Sequence, residues 1–180
     1  GRDLPVWLTL PQGLEAGKPA PSVVLVHGGP WLRGGRWEWE ENAQFLASRG
    51  YLVISPDFRG SQGYGEAHYR AGWKQWGQAM QDDVADAVQW AVRQGWVDSK
   101  RVCIAGASYG GYATLAGLTL TPDAFRCGVD IVGPSNLMTL LSTIPPYWAP
   151  MVAVFHNRMG NPGTPAGKAL VAAVTVGRVR

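Results

Sequence analysis

Four short apolar runs recur along the chain almost without polar interruption: Ser22–His27, Tyr51–Ser55, Arg101–Ala105 and Cys127–Val132. Runs of this length without strict alternation read as strands buried on both faces, which occurs where helices cover a parallel sheet. Between the second and third run, Val84, Ala87, Val88, Ala91 and Val92 recur at i, i+3, i+4, i+7 and i+8. Asp82 and Asp83 are placed in the first turn of that helix and Gly95 follows its last turn. A second helix is expected from about Trp39 to Arg49, closed by Gly50, and a further strand over Pro5–Leu10. Strands alternating with helices give βαβ units, so the fold expected is α/β, a mostly parallel sheet with helices on both faces. No internal repeat and no linker divides the 180 residues, which are read as one domain.

Hydrophobic residues make up 46% of the chain and charged residues 16%, which excludes an intrinsically disordered class. No apolar run approaches the roughly 18 residues of a membrane helix, so no membrane partner is expected. The net charge is only +3 and the basic residues are scattered, which argues against nucleic acid. The first ten residues lack the basic-then-apolar layout of a signal peptide, which leaves the location open with the cytoplasm slightly favoured. Cys103 and Cys127 are too few for a disulfide scaffold or a cysteine zinc site, and both lie in apolar runs. Two buried free thiols are expected, with no metal and no cofactor.

Chemistry concentrates at Gly106-Ala107-Ser108-Tyr109-Gly110, which fits Gly-x-Ser-x-Gly. In that pattern a serine sits on a sharp strand-to-helix turn, and the glycines leave room for its strained geometry. Chance alone yields the pattern in roughly one of seven chains of this composition, so its setting decides. A buried strand is expected to end at Ala105, and Gly111-Tyr-Ala-Thr-Leu-Ala follows as a small-residue helix start. His27-Gly28-Gly29-Pro30 closes the first apolar run. Acyl transfer needs backbone N–H donors where the tetrahedral oxyanion forms, and a Gly-Gly turn lets main chain approach that point. Gly29 N–H and Tyr109 N–H are the expected pair.

Together these residues resemble the catalytic domain of the prolyl oligopeptidase family, serine peptidases of α/β-hydrolase fold. The resemblance extends through Pro56-Asp-Phe-Arg-Gly-Ser-Gln-Gly-Tyr-Gly65, Trp76-Gly77, Asp82-Asp83, Gly95-Trp-Val-Asp98, Thr121-Pro-Asp123 and Pro145-Pro-Tyr-Trp148. It implies Ser108 as nucleophile, Gly29 and Tyr109 as oxyanion donors, and an acyl pocket near Trp31 and Tyr112. It also implies a peptide or small ester as substrate, and makes Arg59 a scaffold residue of its loop. Members usually carry an N-terminal β-propeller, which is not expected within these residues.

A serine needs a base, and in this fold the partners follow in the order Ser, Asp, His. After Asn161-Pro162 the similarity fades, so a C-terminally truncated or frame-shifted domain is expected. Beyond Ser108 the carboxylate side chains are Asp123 and Asp130, and the one histidine is His156. Asp130 and His156 would preserve the order, although Asp130 lies mid-strand, where a polar side chain more often serves a neighbouring loop. His27 is expected to bond locally within its turn, and His68 to be an exposed polar residue. Trp31, Trp37 and Trp39 crowd one loop and are read as packing residues. An uncovered sheet edge predicts a homo-oligomer.

Overall fold

The computed structural model describes residues 2–15 and 17–145, and the strands among them form one five-stranded sheet in the order β1-β3-β2-β4-β5. The strands are β1 (Val6–Thr9), β2 (Ala20–Val26), β3 (Leu52–Pro56), β4 (Val97–Ala107) and β5 (Cys127–Ile131). β3, β2, β4 and β5 are mutually parallel, whereas β1 pairs antiparallel with β3, placing Val6 opposite Pro56 and Thr9 opposite Val53. The expected α/β class holds with one antiparallel edge strand added. Hydrophobic pattern marks a strand but not its direction, so β1 could not be oriented from sequence.

The helices are α1 (Glu41–Ser48), α2 (Glu66–Ala71), α3 (Ala79–Arg93), α4 (Tyr109–Leu120) and α5 (Leu137–Thr143). α1 starts where the Glu40 side chain accepts from the Ala43 N–H and ends at Arg49, with Gly50 at φ +90° turning the chain into β3. α3 begins earlier than expected, at Ala79, so Asp83 lies beyond its first turn. Its carboxylate is buried and takes a bidentate pair from Arg59, 2.8 Å from Nε and 2.6 Å from Nη2, plus the Arg59 N–H at 2.8 Å. Arg59 thus ties the loop after β3 to α3, the scaffold role expected of it.

Side chains alternate across the sheet, so each strand supplies two faces. Val24, Val26, Ile54, Val102 and Ile104 pack with Val84, Val88 and Ala91 of α3 and Ala113 and Ala116 of α4 in one buried core. The other face carries Val23, Leu25, Cys103, Ala105, Val129 and Ile131, and with Phe45 and Leu46 of α1 it lines a groove of about 570 Å³. Helices therefore do lie on both sides, with α1 packed mainly against β3 and β1.

Two expectations fail here. Cys103 and Cys127 are joined in a disulfide, their Cα atoms 4.7 Å apart, because the parallel register of β4 and β5 sets them directly opposite one another on the groove face. Apolar neighbours in sequence could not reveal that register. His68 is buried, with Nε2–H shared between the carbonyls of Asp57 (3.1 Å) and Phe58 (3.0 Å). It sits on α2, a helix too short to leave a periodic signal, which folds it back against the end of β3.

Candidate active site

β4 runs on through Gly106 and Ala107 before the chain turns at Ser108 into α4. Ser108 is exposed and holds φ 56°, ψ −118°, a conformation that ordinary residues adopt at a cost of about 1–3 kcal/mol and that clusters at functional sites. Packing over-determines it. A Cβ at Gly110 would lie 2.1 Å from the Val26 carbonyl oxygen, and one at Gly106 would meet the same oxygen at 2.6 Å. The two motif glycines therefore let the first turn of α4 sit directly on β2, which forces the sharp bend. The Ser108 N–H donates to the Ile131 carbonyl at 2.9 Å, anchoring the elbow to the end of β5.

The Gly28–Pro30 turn lies beside this elbow. A Cβ on Gly28 would be 3.2 Å from the Ala107 carbonyl oxygen and 3.6 Å from Ser108 Cβ. The Gly29–Pro30 peptide is cis, and Gly29 holds φ +119°. Tyr109 is the first residue of α4, so its N–H has no acceptor within the helix. Ser108, Gly29 and Tyr109 are thus on two adjoining turns at the same end of the sheet, the end where open parallel sheets carry their ligands.

Under the elbow lies an aromatic cluster. Trp76 packs on Tyr109 (4.5 Å between ring centroids), on Tyr112 (5.0 Å) and on Trp31 (6.2 Å), while Phe58 meets Tyr109 at 5.2 Å. Burial pushes the phenol pKa values of Tyr109 and Tyr112 well up. Trp31 and Tyr112, expected beside a substrate acyl group, are both buried in this cluster. Trp37 and Trp39, read as packing residues of the core or of an interface, are not in the core: they stand 95% and 75% exposed.

Asp130 is the penultimate residue of β5, with its carboxylate turned onto the loop that follows, where Oδ1 accepts the Gly133 N–H at 2.8 Å. The expected service to a neighbouring loop is what the geometry presents. His156, the candidate base, lies outside the described residues.

A polar network missed in the sequence reading surrounds His27. Buried Asp57, one residue past β3, accepts from Gly34 N–H (2.8 Å), Gly35 N–H (3.1 Å), Tyr64 O–H (2.7 Å) and Trp7 Nε1–H (3.2 Å). His27 Nε2 lies 3.6 Å from Asp57 Oδ1 and 2.9 Å from Ser61 Oγ, and Nδ1 lies 2.7 Å from the Gly28 carbonyl oxygen. Burial drives the His27 pKa below its usual value, against the opposing pull of the Gly28 carbonyl and Asp57. A signal was available: a carboxylate directly after an apolar strand, at the ligand end of the sheet, in Pro56-Asp57-Phe58.

The profile of the prolyl oligopeptidase family matches residues 37–159. Over 168 residues the chain is 57% identical to dipeptidyl aminopeptidase BIII of Pseudoxanthomonas mexicana, covering 90% of this chain and 24% of that protein. It is 48% identical over 136 residues to dipeptidyl peptidase family member 6 of Caenorhabditis elegans, covering 76% of this chain and 18% of that one. Among solved structures, a puromycin-hydrolyzing peptidase of Mycobacterium tuberculosis superposes with a TM-score of 0.81 at 30% identity, over 96% of this chain and 26% of its own. The chain thus spans about a quarter or less of the length of these relatives.

Proposed function

The chain belongs to the prolyl oligopeptidase family, and on that premise we propose that it is a serine hydrolase acting on peptide or small ester acyl bonds through Ser108. The observation that carries the reading is Ser108 itself, an exposed, positive-φ hydroxyl at the end of a buried strand with a Gly-Gly turn against its Cβ. Ser108 Oγ attacks the carbonyl carbon and its proton passes to a base. The carbonyl oxygen becomes the oxyanion, received by the N–H groups of Gly29 and Tyr109. Collapse expels the alcohol or amine with that proton and leaves an ester on Ser108, which water then cleaves.

His156 is the proposed base and Asp130 its orienting group, the order Ser, Asp, His being kept; in this role Asp130 holds the histidine through the carboxylate oxygen that the Gly133 N–H does not occupy. Esters are the better substrates in this reading, because an alkoxide or phenoxide needs less protonation on leaving than an amine. Short-chain aryl ester hydrolysis is expected to fall at least about 10²-fold in Ser108→Ala and by about 10²–10⁴ in His156→Ala. Full activity in Ser108→Ala overturns the hydrolase reading, and full activity in His156→Ala overturns the choice of base.

A second reading, self-association, is favoured by the groove face. Val129 and Ile131 of β5 and Phe45 of α1 are all more than half exposed there, and among the described residues β5 is the last strand of the sheet. A second copy covering this face accounts for such apolar exposure. Light scattering at micromolar concentration is expected to give a multiple of 19.4 kDa, and the monomer mass for folded protein overturns it.

A further inference from the structure

We propose that His27 is a positioning residue that aims the Gly29 N–H toward the Ser108 elbow by holding the Gly28 carbonyl. This rests on the oxyanion assignment above. A carbonyl oxygen only accepts, so the 2.7 Å contact from Nδ1 to the Gly28 oxygen places a proton on Nδ1. The ring is neutral, its pKa lowered by burial, so Nε2 carries a lone pair and accepts the Ser61 O–H at 2.9 Å. One tautomer is thereby selected.

The consequence for the site is geometric. The Gly28 carbonyl and the Gly29 N–H are the two ends of one planar peptide unit, and that unit is trans, since the cis bond of this turn is the following one. In a trans unit the C=O and N–H point in opposite directions. Drawing the carbonyl onto His27 therefore turns the Gly29 N–H away from the histidine. Glycine on both sides gives the unit wide freedom to rotate, so something must hold it.

The histidine is itself held on every side. Its ring stacks on Phe58, 4.4 Å away with 11° between planes. On the other side Gly34 lies so close that a Cβ would fall 2.1 Å from His27 Cδ2. Gly34 is kept there by its N–H bond to Asp57 Oδ1, and Asp57 is fixed by Gly35, Tyr64 and Trp7. Asp57 thus acts on the donor at second hand, through the backbone that clamps the ring.

The test compares His27→Phe, which keeps a ring over Phe58 but removes the Nδ1 donor, with His27→Asn, whose carboxamide N–H occupies nearly the Nδ1 position. With p-nitrophenyl acetate, His27→Phe is expected to lose about 10²–10³ in kcat, the loss typical of one oxyanion donor, with KM within about 3-fold. His27→Asn is expected to recover most of that loss. A merely structural role predicts equal losses in both, and that result overturns the proposal, as does unchanged kcat in His27→Phe. Nitrogen-15 spectra read the same claim without turnover. Wild-type His27 is expected to carry its proton on Nδ1 at pH 7.5, and the Gly29 amide resonance to shift in His27→Phe and return in His27→Asn. A proton on Nε2, or an unmoved Gly29 resonance, overturns the proposal even where no Ser108-dependent turnover is found, and absent turnover with the predicted spectra counts against the hydrolase reading alone.

Discussion

On the face of the sheet toward α3 and α4, Val24, Ile54, Val102 and Ile104 are fully enclosed, whereas on the face toward α1, Val129 and Ile131 keep 57% and 53% of their surface. The enclosed residues lie on β2, β3 and β4 and the exposed ones on β5, the side-chain chemistry is alike, and the difference lies in what covers them, since Val23 and Val53 on the α1 side of β2 and β3 are buried too. A long amphipathic helix, α3, and the helix capped by Ser108, α4, close the first face, and α4 also builds the Ser108 elbow. The second face has an eight-residue helix over β3 and β1 and a groove over β4 and β5. The Ser108 elbow is therefore supported from the well-packed side, so the geometry of the candidate site and stability share the same residues there.

That contrast can be broken by paired truncations. Ile104→Ala empties space in the enclosed core and is expected to lower the unfolding free energy by about 2–5 kcal/mol. Ile131→Ala on the groove face removes the same atoms from a half-solvated position, with an expected effect below about 1 kcal/mol. Urea denaturation of both variants checks the pair. Equal losses would mean that the groove face is as well covered in solution as the core face, and would point to the partner copy proposed above.

A covalent link supplies on the groove face part of what packing supplies opposite. The Cys103–Cys127 bond closes a loop with a sequence separation of 24 and ties edge strand β5 to β4. Its removal in Cys127→Ser is expected to cost about 2–4 kcal/mol, measured against the oxidised wild type. Because Ser108 N–H is anchored on Ile131 at the far end of the same strand, the loss is also expected to lower Ser108 reactivity toward a fluorophosphonate probe. Unaltered labelling would mean that α4 alone holds the elbow.

How far the sequence could be read follows the same division. The enclosed strands and α3 were visible because burial on both faces, or on one helical stripe, leaves a periodic trace, and Gly-x-Ser-x-Gly marked the elbow because its glycines are demanded by contact with Val26. What stayed hidden depends on register or on partners distant in sequence. The disulfide needs the alignment of β4 with β5, the direction of β1 needs its pairing with β3, and burial of His68 needs α2 folded against Asp57 and Phe58. The role of Asp57 has no local trace, since its donors come from Trp7, Gly34, Gly35 and Tyr64, up to 50 residues away.

The smallest expected effect concerns pH and lies where the groove meets the oxyanion turn, at His27. Burial lowers its pKa in the folded chain below the usual 6.5, while Asp57 at 3.6 Å and the Gly28 carbonyl pull the other way. Among the described residues, Ser61, the Phe58 ring and Gly34 also face it and are uncharged. Between the folded value and 6.5 the unfolded chain binds a proton that the folded chain does not, so stability rises with pH in that window. It is fully present above about 6.5 and is lost as pH falls toward the folded value, by at most about 1.4 kcal/mol per pH unit for one proton. Denaturation of wild type and His27→Asn at pH 7.5, 6.5 and 5.5 isolates this contribution, because the other titrating groups are common to both. The wild type is expected to weaken more steeply below pH 6.5. A steeper loss in His27→Asn would mean that Asp57 outweighs burial, that the ring is charged when folded, and that its Nε2–H points at the carboxylate rather than accepting from Ser61.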